Sequence, residues 1–439
     1  MKPAEMLAAA ICASDADKAA RVLEEHPELK SGLNGGMSGY DFGMQPLLAA
    51  VQRSDRKTVD VLLRAGADIN ARSDWWAGGF GVLDECSAEM APFLIERGAV
   101  VDAHAAARLG MLEKLEELVA ENPEVVHARG GDGQTPLHFA STLEIARFLL
   151  GKGADMDARD IDHESTPAQY MLRVTQARHF ARDRQDIARY LVAEGCKTDI
   201  LMAAALGDLP LVRWHLEADP DSIRMRVSEE YFPKQDARSG GTIYIWVFGW
   251  HRTAHLVARD FGHEDVFQFL MEGSPEELKL AQACELGDED MFRALLESRP
   301  NLVETLSDDD RRRVPNAAQN NNTNAVRMML EAGWPSDVPG QHGLTALHWA
   351  AWHGNADMVR EILRFHPKLE LNDNDFGITE LGSALHGSEN GWHRTTGDYG
   401  ATVELLLNAG AKAPEVTQDL EASEAAREAL RRRAARPAS

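Results

Sequence analysis

Residues 343–363, GLTALHWAAWHGNADMVREIL, constrain the fold of this chain more than any other stretch, because they spell a helical unit that cannot cover its own apolar face. Thr345 stands where a helix cap belongs, and Leu347, Ala350 and Ala351 recur at helical spacing behind it. Gly354 ends that helix. A second one follows, with Met358, Val359, Ile362 and Leu363 on its inner side. Two short helices leave apolar surface in water unless similar pairs stack on them, so copies of the unit are expected elsewhere in the chain.

They recur throughout. Residues 45–72 (QPLLAAVQRSDRKTVDVLLRAGADINAR), 134–159 (QTPLHFASTLEIARFLLGKGADMDAR) and 377–411 (GITELGSALHG, then ATVELLLNAGA) repeat the pattern. In these copies the chain resembles the ankyrin-repeat family, whose TPLHxAA, G and VVxxLLxxGAD signatures stand nearly intact. More degenerate copies, such as LMAAALGDLPLVRWHLEADPDSI and LKLAQACELGDEDMFRALLESRPNLV, fill the gaps. The total is about twelve, near the roughly 33-residue spacing of such repeats. The resemblance covers nearly the whole chain except residues 224–250 and the last twenty or so. It implies an all-α ankyrin-repeat solenoid with short β-hairpin connections. Residues 1–412 form the array in this reading, and 413–439 a C-terminal helix and basic tail.

A solenoid has no single core, so a length of 439 residues counts units rather than globular domains. No run of apolar residues is long enough to span a membrane, and the N-terminal LAAAIC segment reads as a repeat helix rather than a signal peptide. Cys12, Cys86, Cys196 and Cys284 lie far apart, mostly at small-residue helix positions, and are expected to be free thiols in a cytoplasmic protein. The net charge of -24 argues against nucleic acid and anionic membranes as partners. Only the tail from Arg431, RRRAARPAS, is locally basic.

The family's ligand-contacting positions are the variable pair in AAxxG and the variable residues of the hairpin. Carried onto this sequence, the first are Trp352 with His353, Asp260 with Phe261, and His386. The second include Asp375 with Phe376, Gly249 with Trp250, His163 with Glu164, and Asp41 with Phe42. Tryptophans at such nominally solvated places suggest a ligand platform.

Three departures from the repeat add to this. Segments 173–186 and 386–399 lengthen the spacing between the two helices of a repeat. The second of them, HGSENGWHRTTGDY, collects His386, Glu389, Asn390, Trp392, His393 and Asp398. Residues 242–250, TIYIWVFGW, alternate with period two and place Tyr244, Trp246, Phe248 and Trp250 on one face. With RMRVSEEYF before them and RSGG between, 224–250 is expected to be a long inserted β-hairpin. A further cluster, DWWAGGFG at 74–81, holds Trp75, Trp76 and Phe80.

These residues support two functions. The first is a binding protein whose concave face forms an aromatic, histidine and acid-lined site for a protein partner or a small carbohydrate-like ligand, with Trp75, Trp76, Glu164, Tyr244, Trp246, Trp250, Asp260, Trp352, His386, Asn390 and Trp392 contributing. The second is an enzyme, a hydrolase or lyase, using Glu389, His393, His353 and Asp375 for general acid and base work on a polyhydroxylated substrate. His251 with His255, or His386 with His393, could face a metal ion, but no Cys-rich or HExxH pattern appears, so neither a metal nor a cofactor is expected. No GxxxxGK[ST], GxSxG or strand-associated GxGxxG motif is present.

Overall fold

The computed structural model describes residues 2–38, 40–172, 184–417 and 419–435. Among them helix follows helix, and the only β pairing is an isolated antiparallel bridge between Arg226 and Thr253. The chain divides into two compact units, Met1–His215 with Val227–Phe248 and Leu216–Arg226 with Gly249–Ser439.

The local rules are those of the 343–363 unit. Helix Ala346–Trp352 buries Leu347, Ala350 and Ala351, and helix Ala356–Leu363 buries Met358, Val359 and Ile362. Asn355 caps the second helix by accepting the Met358 N–H at 2.9 Å. Asp15, Asp55, Asp208, Asp288 and Asp398 do the same for other second helices. Gly354 takes φ +63°, and a Cβ there would lie 2.9 Å from the Tyr399 ring, so glycine serves both backbone and packing. Each buried aliphatic side chain contributes about 1.5–3 kcal/mol. The stacked pairs thereby build continuous cores, from Leu7 to Ala105 in the first unit and from Leu280 to Leu430 in the second.

The histidine of the TPLH turn joins one repeat to the next. His138 Nδ1 accepts the Thr135 N–H at 3.1 Å, and its Nε2–H donates to the Ser165 carbonyl of the following repeat at 3.1 Å. His348 repeats this with Thr345 and with the carbonyls of Leu371 and Ile378. Burial pushes His138 down to about 3, so it is neutral and holds the single donor and single acceptor this geometry requires.

Helix Glu424–Ala434 packs on Tyr399–Ala409, burying Ala426, Ala429 and Leu430 while Arg431, Arg432 and Arg433 occupy its last turn.

Two expectations are corrected. The long β-hairpin is absent. In the first unit, Tyr244–Val247 is a helical turn whose Val247 and Phe248 N–H groups donate to Ile243 and Tyr244 carbonyls at 3.0 and 2.8 Å. Tyr244 is wholly buried against Phe232, while Trp246 is 62% exposed, so burial follows a turn rather than a two-residue alternation. Nine alternating residues cannot hold a strand without a partner edge. The preceding residues supply none, because Arg224 is tied to Asp310 and Glu277, and Arg226 to Asp309, within the second unit. The other correction concerns 386–399: the first helix of that repeat runs on as Glu380–Asn390, so His386, Glu389 and Asn390 are helical and only the residues after Gly391 form a loop. Of the 173–186 segment, residues 173–183 lie outside the described residues.

Candidate functional site

In the second unit the repeat pattern itself sets six aromatic and imidazole rings beside one another. Trp349 and Trp352 come from helix Ala346–Trp352, His353 caps it, His386 stands on helix Glu380–Asn390, and Trp392 and His393 follow that helix. Trp392 stacks on Trp349 with centroids 6.1 Å apart and planes 20° from parallel, and lies 5.7 Å from His353. His393 meets His353 edge-on at 5.1 Å, and His386 lies 5.5 Å from Trp352.

Glycines allow this approach. A Cβ on Gly387 would strike the Trp352 backbone, and one on Gly391 would lie 2.8 Å from the Tyr399 hydroxyl. That hydroxyl donates to the Trp352 carbonyl at 2.9 Å, fixing the extended helix against its neighbour. Trp392 nevertheless remains 60% exposed. Around it, Asn390 donates to Glu421 at 2.8 Å and His386 faces Glu421 at 3.6 Å, giving the rim an acidic edge.

The four residues expected to do acid and base work are not arranged as one device. His353 is buried, donates through Nε2 to the Gln319 carbonyl at 2.9 Å, and is pushed down to about 4 by burial, which leaves it neutral. Asp375 accepts from His342 Nδ1 at 3.0 Å. Glu389 is exposed, and no hydrogen bond or ion pair joins it to His393 among the described residues.

The remaining expected contacts are held in other ways. Asp260 pairs with Arg252, and the Trp250 carbonyl accepts from Asn320 at 2.7 Å. His251 and His255 do not form a metal pair: their Nε2 atoms bond to Gln319 at 2.8 Å and Ser274 at 2.7 Å. In the first unit Tyr244 is interior and donates to Asp199 at 2.9 Å. Glu164 caps residues 235 and 236 by accepting both N–H groups at 2.9 Å. Trp75 and Trp76 are half-buried; Phe42 meets Trp75 at 4.7 Å, and the Arg238 guanidinium sits 4.3 Å above Trp76. An open depression of about 630 Å³ lined by Asp60, Leu63, Arg64 and Arg97 contains none of the expected residues.

Sequence reasoning missed Trp349, the platform beneath Trp392. Its signal was available, since an indole occupies the variable place of TALHWAA.

Stacked two-helix units joined by TPLH histidines define a helical repeat protein. Family models give that class its name: the ankyrin repeat matches residues 42–74 and 132–161, and a three-copy ankyrin model matches 280–375. The chain contains ankyrin repeats over these residues. It is similar to the calmodulin-binding transcription activator CBT of Oryza sativa subsp. japonica, 25% identical over 53% of this chain and 20% of the relative. It is also similar to ankyrin repeat and SAM domain-containing protein 6 of Mus musculus, 30% identical over 29% of this chain and 14% of the relative. Inversin-B of Xenopus laevis is 40% identical over 16% of this chain and 7% of its own length. The chain thus spans a fifth or less of each of these relatives. No helix among the described residues is long and apolar enough to cross a membrane, and Cys12, Cys86, Cys196 and Cys284 are free.

Proposed function

We propose that this protein binds a polypeptide partner on the aromatic face of its second unit, with Trp392 as anchor and Trp352, His386, Asn390 and His393 around it. Ankyrin repeats serve protein interaction, and the observation carrying this particular site is that Trp392 is mostly exposed yet held in place. A side chain already fixed by stacking on Trp349 loses little rotamer freedom when a partner covers it, and tryptophans of this kind dominate binding energies. The rim carboxylate of Glu421, the exposed Glu389 and the net charge of -24 favour a basic segment whose cationic side chains can lie over the indole. Free cysteines fit the cytoplasmic setting that goes with this reading.

The test is a peptide-display selection on the full chain. Enriched peptides are expected to be basic and to bind Trp392→Ala at least about tenfold more weakly, with the melting temperature little changed because the side chain is largely in water. Peptides that bind both proteins equally would remove Trp392 from the site.

A further inference from the structure

The hairpin tips of two successive repeats in the first unit bring Asp132, Asp162 and His163 together, with one potential ligand atom from each lying within 4.8 Å of the others. The backbone sets this meeting. Asp132 takes φ 54° at its tip, and its carbonyl accepts the N–H groups of Ile161 at 2.8 Å and Asp162 at 3.1 Å. The two tips are therefore locked side by side.

Asp132 is only 9% exposed, and its Oδ1 has no hydrogen-bond partner among the described residues. The Trp75 indole N–H borders it without making a bond of ordinary geometry. Such a carboxylate is expensive to keep charged.

The other two groups are held in position. The Asp162 carbonyl accepts from Ser239 Oγ at 2.6 Å and from the Gly240 N–H at 2.9 Å. Its Oδ1 receives Gly240 N–H at 3.2 Å, and its Oδ2 lies 3.6 Å from His163 Nε2. His163 Nδ1 is 3.0 Å from the Gly241 carbonyl, which only accepts, so Nδ1 carries the proton and Nε2 presents a lone pair toward the carboxylates. A Cβ on Gly240 would approach this ring at 3.1 Å; the RSGG segment is what lets the chain wrap so closely.

We propose that Asp132, Asp162 and His163 form a binding site for one divalent transition-metal ion of the manganese or zinc class. Two carboxylates and a neutral imidazole give such an ion a neutral inner set, and one nitrogen among the ligands selects against calcium and magnesium, which prefer all-oxygen sites. The Nδ1–H to carbonyl bond is the outer contact that orients a metal-binding histidine. Bonds of about 2.0–2.2 Å place ligand atoms roughly 3–3.5 Å apart, a small contraction of the present arrangement.

The experiment uses the full chain, stripped with a chelator, titrated with Mn²⁺ and followed by its paramagnetic resonance signal and by thermal melts. One ion per chain and a melting temperature that rises with Mn²⁺ are expected. Asp132→Asn and His163→Gln should each bind at least about tenfold more weakly, with the helical circular dichroism retained. Should Asp132→Asn fail to fold, His163→Gln decides alone. Absence of bound Mn²⁺, equal binding by the variants, or Mg²⁺ competing at equal concentration would each overturn the assignment.

Discussion

The two units contain the same pair of neighbouring hairpins with different residues at the tips. Asp132 and His342 each stand three residues before the threonine of the TPLH turn and have nearly the same backbone, φ 54° and 59°. In the hairpins that follow, Asp162 and Asp375 stand four residues before theirs and His163 and Phe376 three. In the second unit an imidazole N–H meets the opposing carboxylate at 3.0 Å, and Phe376 covers His342 at 5.3 Å. In the first unit a carboxylate replaces that imidazole, an imidazole replaces the phenyl ring, and the site is buried. One geometry thus satisfies itself in one place and in the other leaves a buried carboxylate oxygen, Asp132 Oδ1, without a hydrogen-bond partner among the described residues. The difference lies in side-chain chemistry on a shared backbone.

The comparison can be broken most strongly at its glycines. Gly133 and Gly343 both have positive φ, but a Cβ on Gly133 would overlap the Ile161 side chain, a deeper clash than the 2.9 Å that one on Gly343 would make with the Asn374 Cα. Gly133→Ala should cost about 3 kcal/mol and Gly343→Ala about 1–2 kcal/mol in urea unfolding. Equal costs would mean that the two tips are not packed differently.

Next comes His138, whose turn closes the first tip. Its folded pKa, about 3, lies below the unfolded 6.5, so its stabilisation is complete above pH 6.5 and declines as pH falls toward 3, by at most about 1.4 kcal/mol per unit. His138→Gln should lose about 2 kcal/mol at pH 7, and the gap to the unaltered protein should narrow by pH 4.5. A gap constant with pH would show that the ring is not neutral in the fold.

The smallest effect belongs to the exposed pair. Removing His342 or Asp375 should change stability by no more than about 0.5 kcal/mol, because solvent screens both partners. A larger loss would place that pair on the same footing as the buried one.

How far the sequence revealed these features depends on how local their causes are. The repeat was readable because Thr345, His348 and the apolar positions act within one turn of helix. The stacking of Trp392 on Trp349 was only half readable: the indoles were visible, but the helix continuing through His386 and Asn390 was not, since Gly387 reads as a helix stop until the close Trp352 backbone explains it. TIYIWVFGW misled because a short period-two pattern fits a strand and also a buried turn with one exposed ring. Asp132 and Asp162 were hidden by their separation along the chain. Their signal was the extra residue between Asp160 and Thr166, which carries no chemistry until the preceding tip is placed beside it. Two of the family matches end at 161 and 375, immediately before Asp162 and Phe376 bring in the departures.

Helix Glu424–Ala434 has a further consequence for colloidal behaviour. Its small buried residues lie over the last helix pair, and its arginines occupy its final turn. Without it, that pair would present a bare apolar face to water, open to head-to-tail contact with another copy of the chain. Contacts of that kind have no closing symmetry, so the result would be open-ended filaments rather than a defined dimer.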